Sequence, residues 1–257
     1  MSELPSLFVS HGAPTLLTDP CPARDFLAGL GPALQRPRAI LCVSAHWTTA
    51  DPRLTGSPSP GVIHDFHGFP DGLYALDYPA PGDPGLAGRV AGLLDGLGPA
   101  VDPERGLDHG AWVPLRLIYP EADLPVVQLS VSPARGPAWH VALGRRLRPL
   151  RAEGVLVLAS GGATHNLRDF ARHALDAPPQ AYAREFADWL TAAVEAGDED
   201  ALADVWNRAP QAARNHPTPE HLLPFHVALG AGGGNAGRLL HDSFTFGVLS
   251  MAAYAWD

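Results

Sequence analysis

The chain has 257 residues, 46% of them hydrophobic, and a mean hydropathy near zero, which fits one large globular domain with a full core. Its formal charge is −9, with 18 arginines and no lysine, so no basic stripe exists for nucleic acid. The longest apolar runs are far shorter than a membrane span, and MSELPSLFVSHG has neither the basic region nor the apolar stretch of a signal peptide, so a cytoplasmic location is expected.

In chain order, SLFVS (6–10) reads as the first strand, 22–35 as a helix and AILCVSA (39–45) as the second strand. The Pro/Gly-rich stretch 51–83 is the longest irregular region, and long ordered loops tend to be functional. Helical patterns follow over 84–97 and 111–118, then a strand PVVQLSV (125–131), a helix 136–152 and a strand GVLVLAS (154–160). Helices are predicted over 180–196, 198–207 and 219–230, and a last strand over FTFGVLSM (244–251). Continuous apolar strands of this kind lie inside a sheet covered on both faces. Their alternation with helices predicts an α/β fold with a central sheet, and nothing divides residues 1–257 into two domains. Cys21 and Cys42 read as free thiols of a reducing compartment. The run GAGGGNAG (230–237) follows a helix and reads as its cap and loop, not as a phosphate cradle.

The number that stands out is twelve histidines. Ligands of open α/β sheets bind beyond the carboxyl ends of the strands. His11 follows SLFVS, His46 follows AILCVSA, and His165 comes just after GVLVLAS, in SGGATHN. Three strands thus each deliver one imidazole to what can be the same edge. His109, in LDHGAW, precedes a helical stretch; it is either a pocket residue or a helix-entry residue behind an Asp108 cap.

The stretch HPTPEHLLPFH (216–226) holds three more histidines. Thr218 can cap a helix with Pro219 at its first position, which puts Glu220 and His221 in the first turn, pointing in different directions. Glu220 then reads as a partner of the helix dipole, whereas His221 stays neutral and able to ligate a metal. His226 lies on another face, as core or surface. His64 and His67 fall in the irregular stretch, where a substrate pocket can form; their roles and that of His216 stay open. No nucleophile elbow, H-E-x-x-H, Walker A or dinucleotide fingerprint is present, which points toward metal catalysis.

Six blocks carry a resemblance: SLFVSHGAPT, AILCVSAHWTT, HDFHGFPDGLYALDYPAPGDP, LDHGAWVPLRLIYPEADLPVVQLSV, SGGATHNLRDF and PTPEHLLPFHVALGA. In this order, from residue 6 to about residue 232, the chain resembles the DOPA-dioxygenase type of class III extradiol ring-cleaving dioxygenases. The resemblance implies a single-domain α/β fold with a central mixed, largely parallel sheet. It implies His11, His46 and His221 as metal ligands, His165 as an active-site acid/base, and His109 in the same pocket. Fe(II) is then the expected metal, with a catechol and O2 as substrates and cleavage between a hydroxylated carbon and its non-hydroxylated neighbour. Relatives in the wider superfamily use two histidines and a carboxylate. A third neutral histidine with an open position is also the pattern of catalytic zinc, so Zn(II) can occupy the same site. The alternative functions are a zinc-dependent hydrolase using these three histidines and a non-enzymatic binding protein on the same scaffold.

Overall fold

The structure is a computed structural model that describes residues 3–170 and 172–257. Its strands are β1 (Ser6–Ser10), β2 (Ala39–Thr48), β3 (Arg53–Thr55), β4 (Ala100–Asp102), β5 (Val126–Val131), β6 (Val155–Gly161), β7 (Arg238–His241), β8 (Phe244–Thr245), β9 (Leu249–Ser250) and β10 (Ala253–Trp256). Among the described residues, eight of them form one sheet in the order β4-β3-β5-β2-β6-β1-β10-β7. The central strands β5, β2, β6 and β1 are parallel, and each crossover between them needs the long connections that the helices supply. At the flanks β10 runs antiparallel to β1, β7 to β10, and β3 to β5. The sheet is therefore mixed with a parallel centre, as expected.

Both faces are covered, which is why the central strands carry no polar alternation. On β1, Leu7 and Val9 join a core with Leu27, Leu30, Trp112 and Ile118, from the helices Pro22–Ala33 and His109–Ile118. Phe8 points the other way, into a core with Val141 and Leu147 of the helix Gly136–Leu147 and Phe225 of the helix Leu223–Ala231. Every residue of Leu223–Ala231 is buried, as its all-round apolar sequence requires. It crosses Gly136–Leu147 closely: a Cβ on Gly144 would strike the Val227 carbonyl, and one on Gly230 the Val141 carbonyl.

Several predicted bounds change. The stretch 244–251 is not a sheet strand. It is the small hairpin β8–β9, turned through Phe246 and Gly247, both at positive φ, and the strand beside β1 is the alanine-rich β10. The helix predicted over 219–230 starts at Leu223, with Pro224 in its first turn. The stretch 136–152 breaks ahead of Pro149, whose ring leaves no N–H for the ladder, into Gly136–Leu147 and Pro149–Ala152. The stretch 198–207 likewise divides at Asp204 into Glu199–Ala203 and Val205–Arg208. The irregular segment 51–83 contains β3 and a short 3-10 turn, Asp71–Ala75. Both cysteines are buried free thiols. Among the described residues no helix is long and apolar enough to cross a membrane.

Candidate active site

The parallel strands β1, β2 and β6 point the same way, so their carboxyl ends share one edge of the sheet. His11 follows β1 directly. His46 lies near the end of β2, where the pairing with β5 is irregular between Val43 and Thr48. Past β6, Gly162 donates its N–H to the His221 carbonyl (2.9 Å), and a Cβ on Gly161 would collide with that same oxygen. The bare end of β6 thus seats the 216–222 segment against the sheet edge. The helix His109–Ile118 starts beside it, capped by Asp108, whose side chain accepts the Ala111 N–H. Gly110 is the residue that lets this helix approach: a Cβ there would press on Ser44 Oγ and the His46 ring. All five histidines singled out from the sequence therefore meet. His46 lies 4.9 Å from His11, 3.8 Å from His109 and 4.9 Å from His221 between ring centroids, and His165 stacks on His221 at 3.3 Å.

Hydrogen bonds fix the tautomers of His11 and His221. The Ser160 hydroxyl donates its single proton to the Gly110 carbonyl, so it must accept from His11 Nδ1, 2.9 Å away. His221 Nδ1 donates to the Glu220 carboxylate at 3.0 Å. His46 Nδ1 faces the Asp65 carboxylate at 3.5 Å. His11 and His221 thereby carry the proton on Nδ1 and a lone pair on Nε2, and the Asp65 carboxylate favours the same tautomer in His46. Those lone pairs converge: His46 Nε2 is 3.0 Å from His11 Nε2 and 3.3 Å from His221 Nε2. Two nitrogens each about 2.0–2.1 Å from one ion, at a roughly tetrahedral angle, lie about 3.3 Å apart, so the arrangement fits a metal ion.

Electrostatics keep the rings neutral. Burial, reinforced by the neighbouring histidines, holds His11 and His221 well below the usual imidazole range. Burial and His109 lower His46 to about 3 against the pull of Asp65. Burial, with His216 nearby, lowers His165 to about 4. Burial pushes the Asp65 carboxyl up, but its hydrogen bonds to His109 outweigh that and hold it at about 2. His11, His46 and His109 form one group able to hold a metal ion, and His165, Glu220 and His221 form another.

Two acidic residues have roles the sequence reading missed. Glu220 is not a helix-dipole partner, because the helix begins three residues later. Its carboxylate accepts from His221 Nδ1 and from the Thr218 hydroxyl (2.8 Å), so Thr218 does not cap a helix either. Asp65 was not singled out at all. It accepts from both the backbone N–H and Nδ1 of His109, each at 2.9 Å, while its other oxygen faces His46. Its signal was its place between two histidines in IHDFHGF. The open cases also resolve. His216 is buried and donates Nε2–H to the Ala163 carbonyl, bracing the loop that carries His165. His64 donates to the Leu76 carbonyl. His226 is core, between the Leu222 and Leu202 carbonyls. His67 alone of these lines the cavity.

That cavity has a volume of about 470 Å³, the size of a small-ligand pocket. His46, His109, His165 and His221 stand on its wall with Phe66 and Phe170.

The description "catalytic LigB subunit of aromatic ring-opening dioxygenase" belongs to the family model that matches residues 6–256. The chain belongs to the LigB family. It is accordingly an oxygenase of the ring-opening kind. Among LigB relatives it is 42% identical over 256 residues to a 4,5-DOPA dioxygenase extradiol of Beta vulgaris, covering 97% of this chain and 95% of that one. It is 41% identical over 256 residues to a 4,5-DOPA dioxygenase extradiol of Escherichia coli K12, covering 97% and 93%. A crystal structure of an uncharacterized Escherichia coli K12 protein, JW3007, matches with a TM-score of 0.83 at 35% identity, over 99% of this chain and 100% of that one.

Proposed function

We propose that this LigB protein is an extradiol dioxygenase that opens the ring of a catechol, and that residues 1–257 act as one catalytic domain. The carrying observation is the convergence of three Nε2 lone pairs, each braced from behind through Nδ1. His11, His46 and His221 are then the metal ligands. His109 is also braced through Nδ1 and groups with His11 and His46, but His221 is preferred because its Nε2 lies 3.3 Å from His46 Nε2. Glu220 is excluded by being bonded to the far nitrogen of His221.

Fe(II), when bound there, supplies the redox centre through which the electrons of the ring reach O2. The rest is work for the chain. The His165 ring makes no hydrogen bond among the described residues, lines the cavity and is neutral, so it accepts a catechol hydroxyl proton and later returns it. His109, oriented by Asp65, presents Nε2 to the cavity and hydrogen-bonds the substrate side. Phe66 and Phe170 pack the ring and exclude water. The DOPA for which those relatives are named is itself a catechol, which fits this class.

Protein purified without oxygen and reconstituted with Fe(II) is expected to consume O2 with a panel of catechols. His11→Ala, His46→Ala and His221→Ala should each lose metal and uptake together. His165→Ala should keep its metal and lose about 100-fold in kcat or more. Full turnover by His165→Ala would overturn its acid–base role. Activity with zinc and no O2 uptake would favour the hydrolase instead.

A further inference from the structure

The cavity has a graded wall. Its floor is closed by Phe66, Leu249 and His109, all about 5% exposed (5%, 4% and 6%). Phe69 and Phe170 stand half-buried above them, and the mouth is formed by His67 and by Leu167, which is 55% exposed. Among the described lining residues Asp65 is the one with a full charge, and that charge is negative and held by His109 and His46. Among the described residues no arginine lines the cavity. Arg105 is paired with Asp108, and Arg172 and Arg214 are both paired with Asp169. Arg168, exposed beside Leu167, lies outside the lining.

A carboxylate brought into such a slot gives up water and finds no cationic side chain among the phenyl and aliphatic groups; the His165 ring is committed to the catechol hydroxyl, and the Asp65 charge lies near. Burying an unpaired charge costs more than burying any neutral polar group of its size. We propose that the site selects catechols whose ring substituent is uncharged and discriminates against a carboxylate attached directly to the ring. A carboxylate on an arm of a few carbons escapes the penalty by reaching the mouth, where solvent and the exposed His67 are. This rests on the catechol reading above and narrows it.

The test compares protocatechuate, its methyl ester and dihydrocaffeate on the Fe(II) protein. The ester keeps the electron-withdrawing carbonyl and removes only the charge. Dissociation constants measured without oxygen are expected to place the ester at least about 10-fold tighter than the acid, with dihydrocaffeate between them. The same order should appear in kcat/KM from O2 uptake. Equal or tighter binding of the acid would overturn the proposal while leaving ring opening intact. Absence of O2 uptake with all three would instead overturn the ring-opening reading, and the binding order would still decide the charge selection.

Discussion

Asp65 touches two of the five clustered histidines, and a neutral amide in its place cannot serve both. The His109 N–H and Nδ1–H donate to one carboxylate oxygen, and His46 Nδ1 faces the other. In Asp65→Asn one oxygen remains for His109, and the amide NH2 confronts His46 Nδ1, favouring the tautomer with its proton on Nε2, where the lone pair is needed. Partners behind metal-bound histidines typically carry about 10–100-fold in metal affinity or activity. Asp65→Asn is expected to lose metal affinity and kcat in that range with a smaller change in KM. Unchanged metal affinity and kcat would show that His46 needs no partner. The sequence pointed to the ligating rings and missed what orients them, for a physical reason. Strand ends announce a histidine, whereas an acid in a loop is adjacent to its partners only after folding. One signal was present in the strands themselves: SLFVSH, CVSAH and LASGG each carry a serine one or two residues before the end, and Ser10, Ser44 and Ser160 all brace this edge of the sheet.

Elements assembled the site more faithfully than their predicted bounds suggest. His221 was chosen as a helical residue, and it is not one. The 216–222 segment stays outside the helix because the His221 carbonyl must meet the Gly162 N–H across the bare Gly161. No local propensity encodes that contact. The four parallel strands were legible because each is a run of buried residues, while β3, β4 and β7 are three- or four-residue flank strands with too little pattern to read. β10 was overlooked for the neighbouring FTFGVLSM, whose β-branched and aromatic content is the stronger local signal. Glycine substitutions test which contacts matter. In Gly161→Ala the methyl must displace the His221 backbone, since β6 is pinned to β1 by pairing. Overpacking of this kind costs about 1–3 kcal/mol, and metal affinity should fall with it. Gly29→Ala, on an exposed turn of Pro22–Ala33 with nothing within 4 Å of the new methyl, should instead stabilise the protein by about 0.5–1 kcal/mol. Equal unfolding midpoints for the two variants would refute the close-approach account.

On the scale of the whole molecule, the proposed ligands lie at residues 11, 46 and 221 and come from the two strands that flank β6 and from a loop distant in sequence. A metal bound by all three ties the first strand, the second strand and the C-terminal third together in the native state alone. The unfolded chain has no such set of nitrogens. Linkage then makes the metal a stabilising ligand: at a free concentration about 1,000 times its dissociation constant it adds about 4 kcal/mol. For a domain of this size each kcal/mol moves the midpoint by roughly 2–4 °C, so chelation should lower Tm by about 10 °C. Returning Fe(II) or Zn(II) should restore it. The variants separate this from a general effect of the chelator. His46→Ala removes the nitrogen shared by both close Nε2 contacts, so its Tm should be the same with and without metal. His165→Ala leaves those contacts in place and should keep the whole shift. A chelation shift of equal size in His46→Ala would place the metal elsewhere in the molecule, and with it the chemistry.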